Sequence, residues 1–220
     1  MSAPSTFTGG SEAIALAVLL TEFAMLRAPL SRSQVRLYAL QSLAVSGLAL
    51  FVAITKHLDA LYALAALSFV LKVVVVPRIV LRLLRESRVE LVASHRLGVA
   101  TMVLISVVAA AFGFFVVGSL PVHARLLPTP SFGLAGAEIL VAFLLVILRS
   151  DVVSQAVGFF SLENGVSVAS LVIAGGLPLI LEMIFLFDLL VAVVVFGVLI
   201  WVHHGRTQTL STDPLEQLRG

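Results

Sequence analysis

"VVSQAVGFFSLENGVSVASLVIAGGLPL", residues 152–179, is long and apolar enough to cross a lipid bilayer, yet an ionisable Glu163 sits at its middle, followed by Asn164 and the helix-weakening Gly165. A spanning helix needs roughly 20 apolar residues, each adding about 1.5 Å. The run closes at Gly175-Gly176-Leu177-Pro178, where the glycines end one helix and the proline starts the next. Glu163 then lies about eleven residues in, near the centre of a roughly 30 Å hydrocarbon core. A charge at that depth is costly and is a functional candidate by default.

The flanking sequence repeats the pattern. The chain has 220 residues, 60% hydrophobic and 12% charged, with mean hydropathy +1.14. A single soluble core cannot hide that much apolar surface, so the expected fold is all-α: a polytopic membrane helix bundle, multi-pass in the cell membrane, with the lipid bilayer as its solvent. Seven spans are expected, near 11–28, 35–54, 60–82, 97–119, 131–149, 152–174 and 177–202. Each break has a cause. Residues 27–36 hold three Arg and a Pro; 56–60 form a short polar turn; 82–96 are an amphipathic basic stretch; 121–133 hold three Pro; and 149–151, Arg-Ser-Asp, make a tight turn. The start of the chain has no basic region before its first apolar run, so that run is expected to be retained as a helix.

Basic residues set the expected orientation. Arg27, Arg32, Arg36, Arg78, Arg82, Arg85, Arg88, Arg96, Arg149, Arg206 and Arg219 fall on one side, and only Lys56 and Arg125 on the other, with Lys72 inside a helix. An eleven-to-two split puts the N-terminus outside and the C-terminus in the cytoplasm. A weak repeat shows at an offset of 122 residues: Leu26-Arg27 aligns with Leu148-Arg149, and Tyr38–Ser42 with Phe160–Asn164, so that Gln41 matches Glu163. The chain then reads as one membrane domain, 1–220: a three-helix repeat (11–96), a connector helix and loop (97–130), a second three-helix unit (131–204) and a cytoplasmic tail (205–220).

The chemistry must lie in the intramembrane polar groups. Lys72, Glu163 and Asp188 share the midplane, each about 15–18 Å from one face. Glu182 and Glu138 lie nearer the outer face, and Glu22 nearer the inner one. Bland readings stand beside the functional ones. Glu22 neutralises Arg27 or reaches the interface, Glu138 and Gln41 are interhelical hydrogen-bonding glue, and Lys72 forms a structural pair with a carboxylate. Pro77 is expected to kink helix 3. The absence of Cys excludes Cys-ligated iron–sulfur clusters, zinc thiolates and disulfides in this chain. His57, His95, His123, His203 and His204 all fall at or near helix ends, which argues against a bundle-core di-haem cytochrome. A row of carboxyls and a Lys at one depth can move protons without any redox cofactor, since burial favours a neutral carboxyl and a nearby ammonium opposes that.

Four segments resemble the hydrogenase-4 component E (HyfE-like) family: Tyr38–Leu43 "YALQSL", Leu71–Val80 "LKVVVVPRIV", Glu163–Gly165 "ENG" and Gly176–Val193 "GLPLILEMIFLFDLLVAV". The ending "STDPLEQLRG" is similar too. The last three helices of that family are similar in turn to the K subunit of respiratory complex I (NuoK-like). The resemblance implies a non-catalytic membrane subunit of a hydrogenase or formate hydrogenlyase type complex. Antiporter-like and anchor subunits would be its membrane neighbours, and soluble hydrogenase-like subunits would hold the metal centres. No cofactor is expected in this chain and no nucleic-acid partner. Glu163 matches the first proton-path Glu of the K subunit by helix and depth, although Asn164 follows it directly. For the second, Glu182 has the residue type and Asp188 the better depth. The alternatives are an independent proton-coupled small-solute transporter and a passive membrane scaffold.

Overall fold

The computed structural model describes residues 6–86, 97–124, 126–173 and 193–198. It is all-helical: α1 (Thr6–Arg27), α2 (Ser31–Lys56), α3 (Asp59–Ser68), a π-helical segment (Phe69–Val75), α4 (Val76–Glu86), α5 (Val99–Gly118), α6 (Thr129–Leu148) and α7 (Val152–Ile173). Residues 193–198 are also helical. The segment from α3 through α4 is one rod, so the described residues contain six helices long and apolar enough to cross a membrane, of 20 to 27 residues each. Most of the expected seventh span, with Glu182 and Asp188, lies outside the described residues, as do His95, His203 and His204.

Three boundaries differ from expectation for physical reasons. Helix α1 starts at Thr6 rather than near 11, because the Thr, Gly and Ser residues there are taken into its first turns. Helix α2 starts at Ser31, so Arg32 and Arg36 stand exposed on a helix rather than in a loop. Long cationic side chains reach water from a helix end without breaking it. At Pro77 the backbone answers with a π turn. Proline has no N–H for the carbonyl one turn back, and Val76 N–H bonds five residues back to Leu71 O. The widened turn brings Lys72 fully inside while Phe69 and Val70 remain outside.

Helix α7 is the centre of the bundle. Its most apolar window is 72% buried, against 22% for α5. A helix apolar all round belongs inside, and one with an apolar outward face belongs against lipid. On α5 that face is Leu104, Val108, Phe112 and Phe115. Around α7 one core cluster joins Tyr38, Val141, Leu145, Val157 and Phe160, and a second joins Val45, Leu48, Leu61, Val168 and Leu171. Helices α5 and α6 meet backbone to backbone: a Cβ added at Gly113 would lie 2.6 Å from Gly136 O. Small residues at such contacts are what allow helices to approach closely in lipid.

Helices α2 and α7 run parallel and side by side. Ser154 Oγ donates to Gln34 Oε1 at 2.6 Å, Asn164 Nδ2 to Gln41 Oε1 at 3.1 Å, and Asn164 Nδ2 to Ser42 Oγ at 3.0 Å. These partners are 120, 123 and 122 residues apart. At the end of the pair, Arg149 is completely buried and its Nη2 donates to Leu26 O at 2.7 Å and to Met25 O and Ala28 O at 3.2 Å. It thus caps the carbonyl end of α1 instead of standing in water as a loop charge. Asp151 caps the other direction, its Oδ1 accepting Ser154 N–H at 2.8 Å at the start of α7.

Candidate functional site

Ser161, Glu163, Asn164 and Ser167 of α7 are buried inside the bundle. Ser161, Asn164 and Ser167 recur every three residues, next to Glu163. That spacing keeps them on one broad face. The helix packs on α6 through Gly165, where an added Cβ would lie 2.9 Å from Ile139 Cγ1 and 3.3 Å from Glu138 Cγ. Gly165 therefore leaves room for the Glu138 side chain against α7.

The charged centre is Lys72 and Glu163, with Nζ and Oε1 3.3 Å apart. Both are buried. Lys72 Nζ also donates to Ser167 Oγ at 2.9 Å, and Ser167 Oγ donates in turn to the Glu163 carbonyl at 2.9 Å. The π turn supplies the cation and one turn of α7 supplies both its partners. A small cavity bounded by Ser68, Ser167, Val45, Ala49, Leu64 and Leu171 lies next to this pair, and Ser46 Oγ on α2 donates to Ser68 Oγ at 3.2 Å.

A second cluster lies toward α1. Glu22 is fully buried, while Arg27 is exposed, so Glu22 is not held by that guanidinium at the surface. Gln41 Nε2 donates to Glu22 Oε2 at 2.7 Å and faces Val18 O at 3.4 Å. Ser161 Oγ is hydrogen-bonded to Glu22 Oε2 and lies 2.8 Å from Gln41 Oε1, the atom that also accepts from Asn164. Gln41, the expected repeat counterpart of Glu163, thus meets Ser161 and Asn164 on either side of that residue and joins them to Glu22. Glu138 is buried on α6 within electrostatic range of both Glu22 and Lys72. Its Oε1 has no hydrogen-bond partner among the described residues, and the same holds for Glu22 Oε1 and Asn164 Oδ1. Tyr38 is buried with its hydroxyl near Ser42 and within electrostatic range of Glu163.

Of the expected site residues, then, Lys72 and Glu163 touch, Gln41 and Glu22 touch, and Glu138 lies within electrostatic range of both groups. Ser161, Asn164, Ser167, Ser42 and Tyr38 complete the site and were not singled out as such from sequence. The signal for three of them was present in the three-residue spacing on α7. Among the described residues, no three His, Cys, Asp or Glu come together as metal ligands.

No protein-family model matches the chain, and no solved structure does. The chain is 30% identical over 193 residues to the uncharacterized protein Rv0085 of Mycobacterium tuberculosis, a match that covers 86% of this chain and 84% of that one. With that identity sustained over nearly the full length of both, the chain belongs to the same family as this mycobacterial protein.

Proposed function

We propose that this chain is a non-catalytic membrane subunit that moves protons between buried carboxyls, within a complex I-related assembly of the hydrogenase or formate hydrogenlyase type. The observation that carries this reading is the gathering of buried ionisable groups inside an apolar bundle: Glu22 held by Gln41 and Ser161, the Lys72–Glu163 pair held by Ser167, and Glu138 buried on α6. Mere glue between helices needs hydroxyls and amides, which hold such bundles at about 0.6 kcal/mol per bond. Two carboxyls beyond the one paired with Lys72 add desolvation that glue does not need.

The chemistry follows from the pair. A proton arriving on Glu163 cancels its attraction for Lys72, and the ammonium then turns its field on Glu138, the next carboxyl it acts on. Each charge movement thereby biases the next protonation. Seven spans, with the seventh at 177–202 bringing Glu182 and Asp188 to this row, an outside N-terminus and a cytoplasmic C-terminus belong to the same proposal. The parallel α2–α7 pairing, with partners 120 to 123 residues apart, supports the parallel repeat and an even number of crossings between its copies. Metal centres and electron transfer fall to soluble hydrogenase-like partners, and antiporter-like and anchor subunits are the neighbours in the membrane. Localisation is the cell membrane.

Purification from native membranes in mild detergent, through a tag on this chain, tests the reading. Stoichiometric recovery of antiporter-like and hydrogenase-like subunits is expected. Recovery of the chain alone, moving a solute by itself in proteoliposomes, overturns it.

A further inference from the structure

The structure assigns Glu22 a role of its own: it is the proton store of the chain, held as the neutral acid by a closed ring of hydrogen bonds with Gln41 and Ser161, and Ser161 transmits its ionisation to α7. This rests on the proton-handling reading above and adds where a proton waits.

The ring is decided by counting hydrogens. Gln41 has a fixed orientation, because its Nε2 faces two acceptors, Val18 O and Glu22 Oε2, and its Oε1 faces the amide nitrogen of Asn164. Ser161 has one hydroxyl hydrogen but touches two oxygens, Glu22 Oε2 and Gln41 Oε1. With Glu22 ionised, that hydrogen serves one oxygen and the other contact is left with none. With the proton on Glu22 Oε2, Glu22 donates to Ser161, Ser161 donates to Gln41 Oε1, and Gln41 Nε2 donates back to Glu22 Oε2. Three donors meet three acceptors, and every contact contains a hydrogen.

Charge points the same way. Glu22 is fully exclusive of solvent, and its hydrogen-bond partners Gln41 and Ser161 are neutral. The ionisable groups on the elements around it are Glu138 on α6, Tyr38 on α2, Glu163 on α7 and Lys72, whose ammonium is engaged by Glu163 and Ser167. No cation is left over to pair with Glu22, and a lone buried carboxylate in lipid is expensive.

The ring stores rather than conducts, since passing a proton through Gln41 would require the amide to take its imidic acid form. Release breaks the O–H bond of Glu22, and the proton goes to a carboxylate of the row. Ser161 then turns its hydrogen from Gln41 Oε1 to Glu22, and Gln41 Oε1 keeps only Asn164. The change falls two residues from Glu163.

Infrared difference spectroscopy of the full chain in lipid nanodiscs reads the store directly, through the carbonyl stretch of a protonated carboxyl at neutral pH. One component of the band is expected in the wild type and in Glu138→Gln, lost in Glu22→Gln, and displaced in Ser161→Ala, which breaks the ring but leaves the acid in place. No such band in the wild type, or a band from which Glu22→Gln removes no component, overturns the proposal. A band indifferent to Ser161→Ala overturns the ring. The readout needs no partner subunit and no turnover, so a chain that passes this test and fails to move protons refutes the proposed function and not the store.

Discussion

Replacing Lys72 by Met keeps most of the unbranched side chain and removes its ammonium, leaving Glu163 buried without its cation. At 3.3 Å and an effective dielectric constant of about 20, Coulomb's law gives the pair about 5 kcal/mol of attraction. Part of that offsets the desolvation of the two ions. Removing one partner of a buried pair costs about 3–5 kcal/mol, and removing both is often close to neutral. The lost Lys72–Ser167 bond adds little, because Ser167 still donates to the Glu163 carbonyl. Lys72→Met and Glu163→Gln should therefore each destabilise by about 3–5 kcal/mol, the double variant by less than either, and the coupling energy of the cycle should reach about 3 kcal/mol. Reversible unfolding in lipid bicelles by a denaturing detergent, followed by circular dichroism, measures all four proteins. An ordinary interhelical hydrogen bond couples by only about 0.6 kcal/mol in such cycles. A coupling of that size, with additive single effects, refutes a charge pair at this position.

Two further substitutions probe how the site is held. Gly165→Val puts a branched side chain where a single Cβ would already lie 2.9 Å from Ile139 Cγ1 and 3.3 Å from Glu138 Cγ. It should lower stability by about 1–3 kcal/mol, and it should impair proton movement more than an equally destabilising substitution away from the site, because it displaces Glu138. Asp151→Ala removes the side chain that accepts Ser154 N–H at 2.8 Å. The expected loss is about 1 kcal/mol, with proton movement unchanged once expression is matched.

The six spans among the described residues were legible because apolar run length is the strongest signal a membrane imposes. The details that position the site were less so. Pro77 announces a disturbance, but a kink and a π turn both accommodate its missing N–H, and the sequence does not choose between them; the π turn is the one that accompanies the Lys72–Glu163 contact. Arg149 read as a loop charge because a run of residues does not tell which carbonyls lie opposite it; the end of α1, more than 120 residues away, supplies them. Glu22 read as a partner for Arg27 for the same reason, since the side of α1 it occupies depends on α2 and α7. Ser161, Asn164 and Ser167 look like weak helix formers until α2 and the π segment are brought against them. The depths of Lys72 and Glu163, by contrast, follow from counting residues along a helix, and the two side chains meet.

Proton movement by the assembly purified with this chain carrying Glu163→Gln is the most direct measurement. The amide is isosteric with the carboxyl but takes up and releases no proton. In variant and wild-type assemblies matched for subunit content, a relay through Glu163 predicts full electron-transfer activity at the soluble partners and proton movement lost. Proton movement at the wild-type rate would contradict it and leave Glu163 as a structural partner of Lys72.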